Sequence, residues 1–395
     1  MSENDFLSYY YAGSNVILDL PNLYNSLLSP FPFRYFPISA YFFTPFSILG
    51  LEIGYFVFQV INFFLNILII YLMYKIIQTY KRFSKNSNFN YKLNSFKEIF
   101  NREENESILH QYGVFLIALP SFMNYFLGQI NIMVSIFILS SLYYFLKGNV
   151  KDDFIGGILI GLGIMIRPTL ILLLPFLLIL NFNRKSKRFT FKLKRSVIRL
   201  LGTVILIMVS GIYFIVYPQM FADFINVNLT GEYTYAIEGG IEINPSFSLT
   251  RIVLIIFELS NTEVSGFLIF SIISLIILIP IYFLYIQDTD YPLNLINGYF
   301  VGLTVLLIVY FDSWPHHIVV LTPFIIFFLL MNKNFKFYGM VKYLHYLIAI
   351  LMVAFWGIFY LTYQFFPFNI GGLILMILLY YCLILYYRNQ FRLKQ

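Results

Sequence analysis

The chain has 395 residues, is 59% hydrophobic and only 11% charged, whereas soluble domains carry about 25% charged residues. Apolar runs recur from end to end, which excludes a soluble domain with one anchor and predicts an all-α, polytopic transmembrane bundle of roughly nine to eleven membrane helices, short broken ones included. The formal charge of +7 does not mark a nucleic-acid binder, because the basic residues cluster in short segments between apolar runs, which is the positive-inside pattern.

The single cysteine, Cys382, lies in an apolar run and cannot form an internal disulfide. The first residues, MSENDFLSYYYAG, are acidic and polar. They do not read as a basic segment followed by an apolar core, so no cleavable signal peptide is expected.

Residues 5–45 are not a membrane span: they hold Asp5, Asp19, Arg34, several prolines and many tyrosines. We read them as an exoplasmic loop with interfacial helices that carries the candidate base. The apolar piece 38–49 is interrupted by Pro45 and is too short, at about 1.5 Å per residue, to cross about 30 Å of hydrocarbon. Residues 51–78 form a full span that ends in basic residues, followed by a polar loop over 81–107. Two spans follow, 110–126 and 130–146, joined by a tight turn. Residues 154–182 are apolar but split by Arg167-Pro168, which predicts a re-entrant hairpin of two short helices with Arg167 at its tip.

Residues 184–199 are the most basic stretch and are placed inside. A span over 196–217 leads outward to the loop 218–250, which holds Asp223, Glu232, Glu238 and Glu242 and no lysine or arginine. Residues 251–260 read as a partial element, and 264–286, 293–310, 317–331, 343–363 and 370–387 as further spans. Starting with Asp5 outside, this count puts every strongly basic loop on the cytoplasmic side. It puts the 128–131 turn and the 312–316 segment outside. The chain thus divides into an exoplasmic segment 1–50, a transmembrane bundle 51–387 with its outer loop 218–250, and a cytoplasmic tail 388–395. No internal repeat or heptad pattern is present.

Each candidate has a plain reading and a chemical one. Asp5 is either a solvated residue at a frayed terminus or a carboxylate general base at the membrane face. Asp19 reads as a turn former. Arg34 is a snorkelling anchor or a guanidinium that holds a lipid phosphate. Arg167 lies within a long apolar stretch and is costly in lipid unless it binds an anion or pairs with a carboxylate. Gly128, Gln129 and Asn131 are either a backbone-driven turn or a polar site on the outer side. The sequence Asp312-Ser313-Trp314-Pro315-His316-His317 is an aromatic-belt loop or a phosphate donor set. Two histidines without further ligand spacing do not predict a metal site. Asn228-Leu229-Thr230 is a low-specificity glycosylation triplet on the outer loop.

The order of these pieces is more specific than any one of them. An aspartate followed by aromatics is succeeded by Leu23-Tyr24, Phe33-Arg34-Tyr35-Phe36-Pro37, and Gly128-Gln129-Ile130-Asn131. Then comes the glycine-rich run 156–163 ending in Arg167-Pro168, and last Ser313-Trp314-Pro315-His316-His317. This resembles glycosyltransferase family 87, a branch of the GT-C membrane glycosyltransferases similar to polyprenyl-phosphate-mannose-dependent α-mannosyltransferases, over roughly residues 5–323. The resemblance implies a GT-C-like bundle in the cell membrane that moves a hexose, mannose by analogy, from a polyprenyl-phosphate donor to a hydroxyl of a glycan or glycolipid acceptor. Transfer would occur at the exoplasmic face with inversion, and no metal or other cofactor is expected. Asp5 matches the family's base, Arg167 its basic position in the glycine-rich hairpin, and Trp314, His316 and His317 its Trp-x-His segment. With the chemistry read above, the expected substrate-binding set is Arg34, Tyr35, Gln129, Asn131, Arg167, Trp314, His316 and His317. The resemblance also implies a transmembrane helix before the aspartate, where only MSEN precedes Asp5: either the start lies upstream, or the acidic tail is exported without that first helix, or the chain is a degraded copy. A flippase or transporter of lipid-linked sugars, and a non-catalytic degraded copy, are the competing readings.

Overall fold

Proline and glycine set where the helices of this protein start and stop. The computed structural model describes residues 4–24, 32–83, 103–183, 188–230, 246–260, 266–286, 291–310, 313–331 and 370–393. The architecture is an all-α bundle: among the described residues its strands are a single short hairpin, β1 (Leu180–Asn183) paired antiparallel with β2 (Arg188–Phe191). Two helices, Leu51–Tyr80 and Leu193–Val216, are long and apolar enough to cross a membrane, and a bent pair around residues 120–147 makes up to three. The span expected over 343–363 lies outside the described residues.

Residues form two compact units. The first comprises Met1–Leu72, Met123–Ile171 and Val197–Glu238, and the second Met73–Phe122, Leu172–Ser196 and Gly239–Gln395.

In the first unit the stretch expected to be a loop begins as a helix, α1 (Phe6–Leu18). At 13 residues it is too short to span, and it is anchored by aromatics rather than by an apolar stripe. Phe6 packs on Phe58 and Tyr55, with ring centroids 5.2 and 5.3 Å away. Tyr9 stacks on Phe43 at 4.7 Å. The short helix α2 (Thr44–Ile48) meets α1 at Gly13, where Ser47 donates to the Tyr10 carbonyl at 2.6 Å. The long helix α3 (Leu51–Phe83) follows Gly50.

The expected span 110–126 is two helices, α4 (Glu103–Leu116) and α5 (Leu119–Phe126). Pro120 explains the break: it has no N–H to give the Leu116 carbonyl four residues earlier, and its ring clashes there. Helix α6 (Asn131–Lys147) and α7 (Val150–Ile166) are joined by only two residues. Gly148 takes a left-handed conformation (φ 79°), and Asn149 caps α7 by accepting from the Asp152 N–H at 2.8 Å.

The hairpin expected over 154–182 is corrected in its second arm. After Arg167 the chain runs through a 3-10 turn (Pro168–Leu173), the four-residue α8 (Leu174–Leu177) and then β1. Pro168 and Pro175 leave no room for an uninterrupted α-helix.

Helix α9 (Leu193–Val216) crosses α7 at closest approach where both carry glycine. A Cβ on Gly157 would strike the Arg199 carbonyl, and one on Gly202 would lie 2.5 Å from the Phe154 carbonyl. At the same crossing Arg199 Nε donates to Asp153 Oδ1 at 2.8 Å, both side chains are fully buried, and the guanidinium lies 4.3 Å from the Phe145 ring centroid. Helix α10 (Pro218–Ile225) closes the unit, its Phe224 packing on Tyr24 and Phe36.

The second unit takes in α4, α8 and the β-hairpin, together with α11 (Leu249–Leu259), α12 (Gly266–Ile286), α13 (Tyr291–Val309), a 3-10 helix (Pro315–Leu321), α14 (Thr322–Met331) and α15 (Ile370–Leu393). Pro280 lies inside α12 and leaves the Ile276 carbonyl without its helical N–H. The Tyr380 hydroxyl on α15 donates to that carbonyl at 2.8 Å.

Two stability outcomes follow from these contacts. Asp153→Ala strands a buried guanidinium and is expected to cost roughly 3–5 kcal/mol, read as a lowered thermal midpoint in detergent, with Asp153→Ala/Arg199→Met recovering most of the loss. Tyr380→Phe is expected to cost about 1 kcal/mol, and to cost nothing once Pro280→Ala restores the helical donor.

Candidate active site

The site is built at one turn. Between α5 and α6, residues 127–130 reverse the chain. The Gly128 N–H donates to the Tyr125 carbonyl at 3.1 Å and the Gln129 N–H to the Asn124 carbonyl at 2.8 Å. Gly128 has φ 64°, and a Cβ there would lie 2.6 Å from Asn4 Oδ1 and 2.9 Å from Phe6 Cβ. Both the left-handed backbone and the close approach require glycine.

What approaches so closely is the start of α1. The Asp5 N–H donates to the Leu127 carbonyl at 3.0 Å. Asn4 accepts from the Phe6 N–H at 2.9 Å. Although Asp5 occupies the helix-capping position, its side chain makes no cap hydrogen bond. Its carboxylate oxygen Oδ2 instead accepts from Gln129 Nε2.

The Gln129 amide is used at both ends. Its Oε1 accepts from the Tyr9 hydroxyl at 3.3 Å, and Tyr9 in turn shares a 3.0 Å hydrogen bond with the Tyr35 hydroxyl. Tyr9 is one helical turn beyond Asp5 and is 2% exposed. Burial pushes its phenol well above the usual tyrosine range, with Tyr35 and then the Asp5 carboxylate adding to the rise and Arg167 opposing it. Tyr9 is therefore a neutral donor at physiological pH, and it feels both charges of the site. Tyr35 is held by its own carbonyl, which accepts from the buried Tyr24 hydroxyl at 2.5 Å. Burial raises the Tyr24 phenol as well.

Arg167 lies where α7 stops. It adopts extended backbone (φ −141°, ψ 90°), as the residue before a proline does. Its N–H still reaches the Gly163 carbonyl at 2.7 Å. The side chain is 7% exposed, and Nη1 donates to Asn131 Oδ1. Asn131 Nδ2 donates to Asn124 Oδ1 at 3.1 Å, and Asn124 Nδ2 to the Gln129 carbonyl at 3.3 Å. One hydrogen-bonded web thus runs from Asp5 through Gln129, Asn124 and Asn131 to Arg167. Half-buried Arg34 lies on the segment that passes the end of α7, where the Phe36 N–H donates to the Met165 carbonyl at 3.0 Å.

Trp314, His316 and His317 belong to the second unit. The Trp314 N–H donates to His317 Nδ1 at 3.1 Å, which leaves the imidazole proton on Nε2 as a donor. The two imidazoles are buried and meet edge to face, 4.3 Å between centroids. Ser313 fixes the approach to them, its carbonyl accepting from Phe247 at 2.9 Å. Asp312 lies outside the described residues. Among the described residues no three of His, Cys, Asp or Glu gather closely enough to hold a metal ion.

Of the residues expected from sequence, the structure brings Asp5, Tyr35, Gln129, Asn131 and Arg167 into this web. Tyr9 and Asn124 join them unexpectedly. Tyr9 was findable from its four-residue spacing after Asp5, had the stretch been read as helix. Asn124 had only its place beside the turn to mark it.

No curated protein and no solved structure matches the chain. The sequence model of glycosyltransferase family 87 matches residues 33–310, well over half of the length. Asp5 and Tyr9 precede the matched residues and Trp314, His316 and His317 follow them; on the match itself, the chain belongs to glycosyltransferase family 87.

Proposed function

We propose that the protein transfers a hexose, mannose in the favoured case, from a polyprenyl-phosphate donor to a hydroxyl of a glycan or glycolipid acceptor, with inversion, at the exoplasmic face of a multi-pass cell-membrane bundle. The observation that carries this reading is the web that joins Asp5 to Arg167 around buried Tyr9 in a chain of this family.

In this reading Asp5 is the base. It accepts the acceptor hydroxyl proton as that oxygen attacks the anomeric carbon. The bond from that carbon to the phosphate oxygen breaks, and the electron pair leaves on polyprenyl phosphate. Tyr9 fixes which way round the Gln129 amide sits, so that its N–H faces the carboxylate. Arg167 and Arg34 offer charge-assisted donors to the departing phosphate. Trp314, His316 and His317, which belong to the second unit, are kept as proposed substrate-binding residues on the family resemblance alone. Phosphate is a good leaving group, so orientation and electrostatics carry most of the acceleration. No step is routed through a metal or other cofactor.

Membranes expressing the chain, supplied with radiolabelled polyprenyl-phosphate mannose, test the reading. Asp5→Asn is expected to lower transfer about 10²–10⁴-fold while lipid-donor binding persists, and near-native turnover in that variant would remove Asp5 as the base. Arg167→Ala is expected to raise the donor KM at least about tenfold, a loss on the scale of one charge-assisted contact. An unchanged donor KM takes Arg167 out of the site. Label that crosses the bilayer without entering a new glycosidic bond would instead identify a flippase.

A further inference from the structure

We infer that Gln59, on α3 and outside the web itself, is a positioning residue for the transfer reaction; the inference rests on the reading above. Tyr55, Gln59 and Asn66 project from α3 onto a single residue of the turn, Tyr125. Its carbonyl accepts from Gln59 Nε2 at 2.6 Å and from the Tyr55 hydroxyl at 3.1 Å, and its phenol accepts from Asn66 Nδ2 at 2.5 Å. The same carbonyl closes the turn by accepting from the Gly128 N–H at 3.1 Å. Gln59 therefore holds the atom around which the chain reverses, two residues before Leu127, whose carbonyl meets the Asp5 N–H.

An amide on a largely apolar membrane helix is costly unless it is used. The neighbouring faces of α3 show the contrast: Phe56 and Phe63 are 68% and 61% exposed, as lipid-facing residues are. Tyr55 and Gly128 keep the Tyr125 carbonyl satisfied when Gln59 is lost, so the fold survives. The turn's backbone loses its shortest side-chain tether, however, and a displacement near 1 Å at a reacting group is worth about 10²-fold in rate.

The test combines exchange and kinetics on the full chain. In Gln59→Leu, amide hydrogen exchange at Asp5 and at Leu127–Gln129 (127–129) is expected to quicken about tenfold or more, against no change in the lipid-facing control Phe63→Leu. With radiolabelled polyprenyl-phosphate mannose, kcat is expected to fall about tenfold to a hundredfold with donor KM within about twofold. Gln59→Glu, equal in size but without the amide donor, is expected to behave alike. The double variant Gln59→Leu/Gln129→Leu is expected to be no slower than Gln129→Leu, because the two act in series. Native exchange, native kcat or fully additive losses would each overturn the assignment. Failure of the underlying reading shows separately, as native turnover in Asp5→Asn.

Discussion

The contact on which the first unit's chemistry depends is the approach of the α1 start to a turn with no side chain at Gly128. The Asp5 N–H bonds the Leu127 carbonyl there, and the carboxylate accepts from Gln129 two residues on. Because the backbone carries the docking, the Asp5 side chain is not needed as a helix cap and remains turned into the site. The turn ends in the first residue of α6, Asn131, whose amide faces Arg167. A few residues of reversed chain therefore determine how a carboxylate from one end of the sequence and a guanidinium 162 positions later (167 minus 5) share one web.

Amides do most of the linking. Gln129, Asn124 and Asn131 are neutral, buried and donate or accept at both ends. Buried polar groups in a low-dielectric setting must be satisfied, and a fully satisfied network holds a single geometry. The aromatics around it supply the remaining rigidity: Tyr9 is clamped between the Phe43 ring and the Tyr35 hydroxyl. This combination explains why a short helix that cannot span a membrane is nonetheless firmly placed.

The bundle class was legible from the apolar runs, and so was the polar turn, because glycine, glutamine and asparagine together interrupt an apolar pattern. Proline effects were legible at Arg167-Pro168 but not at Pro120, where the apolar run on both sides hides the break between α4 and α5. The helical nature of residues 6–18 was not legible, since its tyrosines and glycine mask the 3.6-residue period and its burial comes from distant aromatics. The same masking hid Tyr9. Distances between chain positions as remote as Asp5 and Gln129 have no sequence signature in a single chain; the count of spans puts them on one face, and the family resemblance puts them in one site.

The Asp153–Arg199 pair has a bearing on how the protein is made. Its members are 46 positions apart, so the ribosome delivers the carboxylate well before the guanidinium that neutralises it. Until α9 is in place α7 carries an acid with no counter-ion, so the close packing at Gly157 and Gly202 is completed only when both helices have been made.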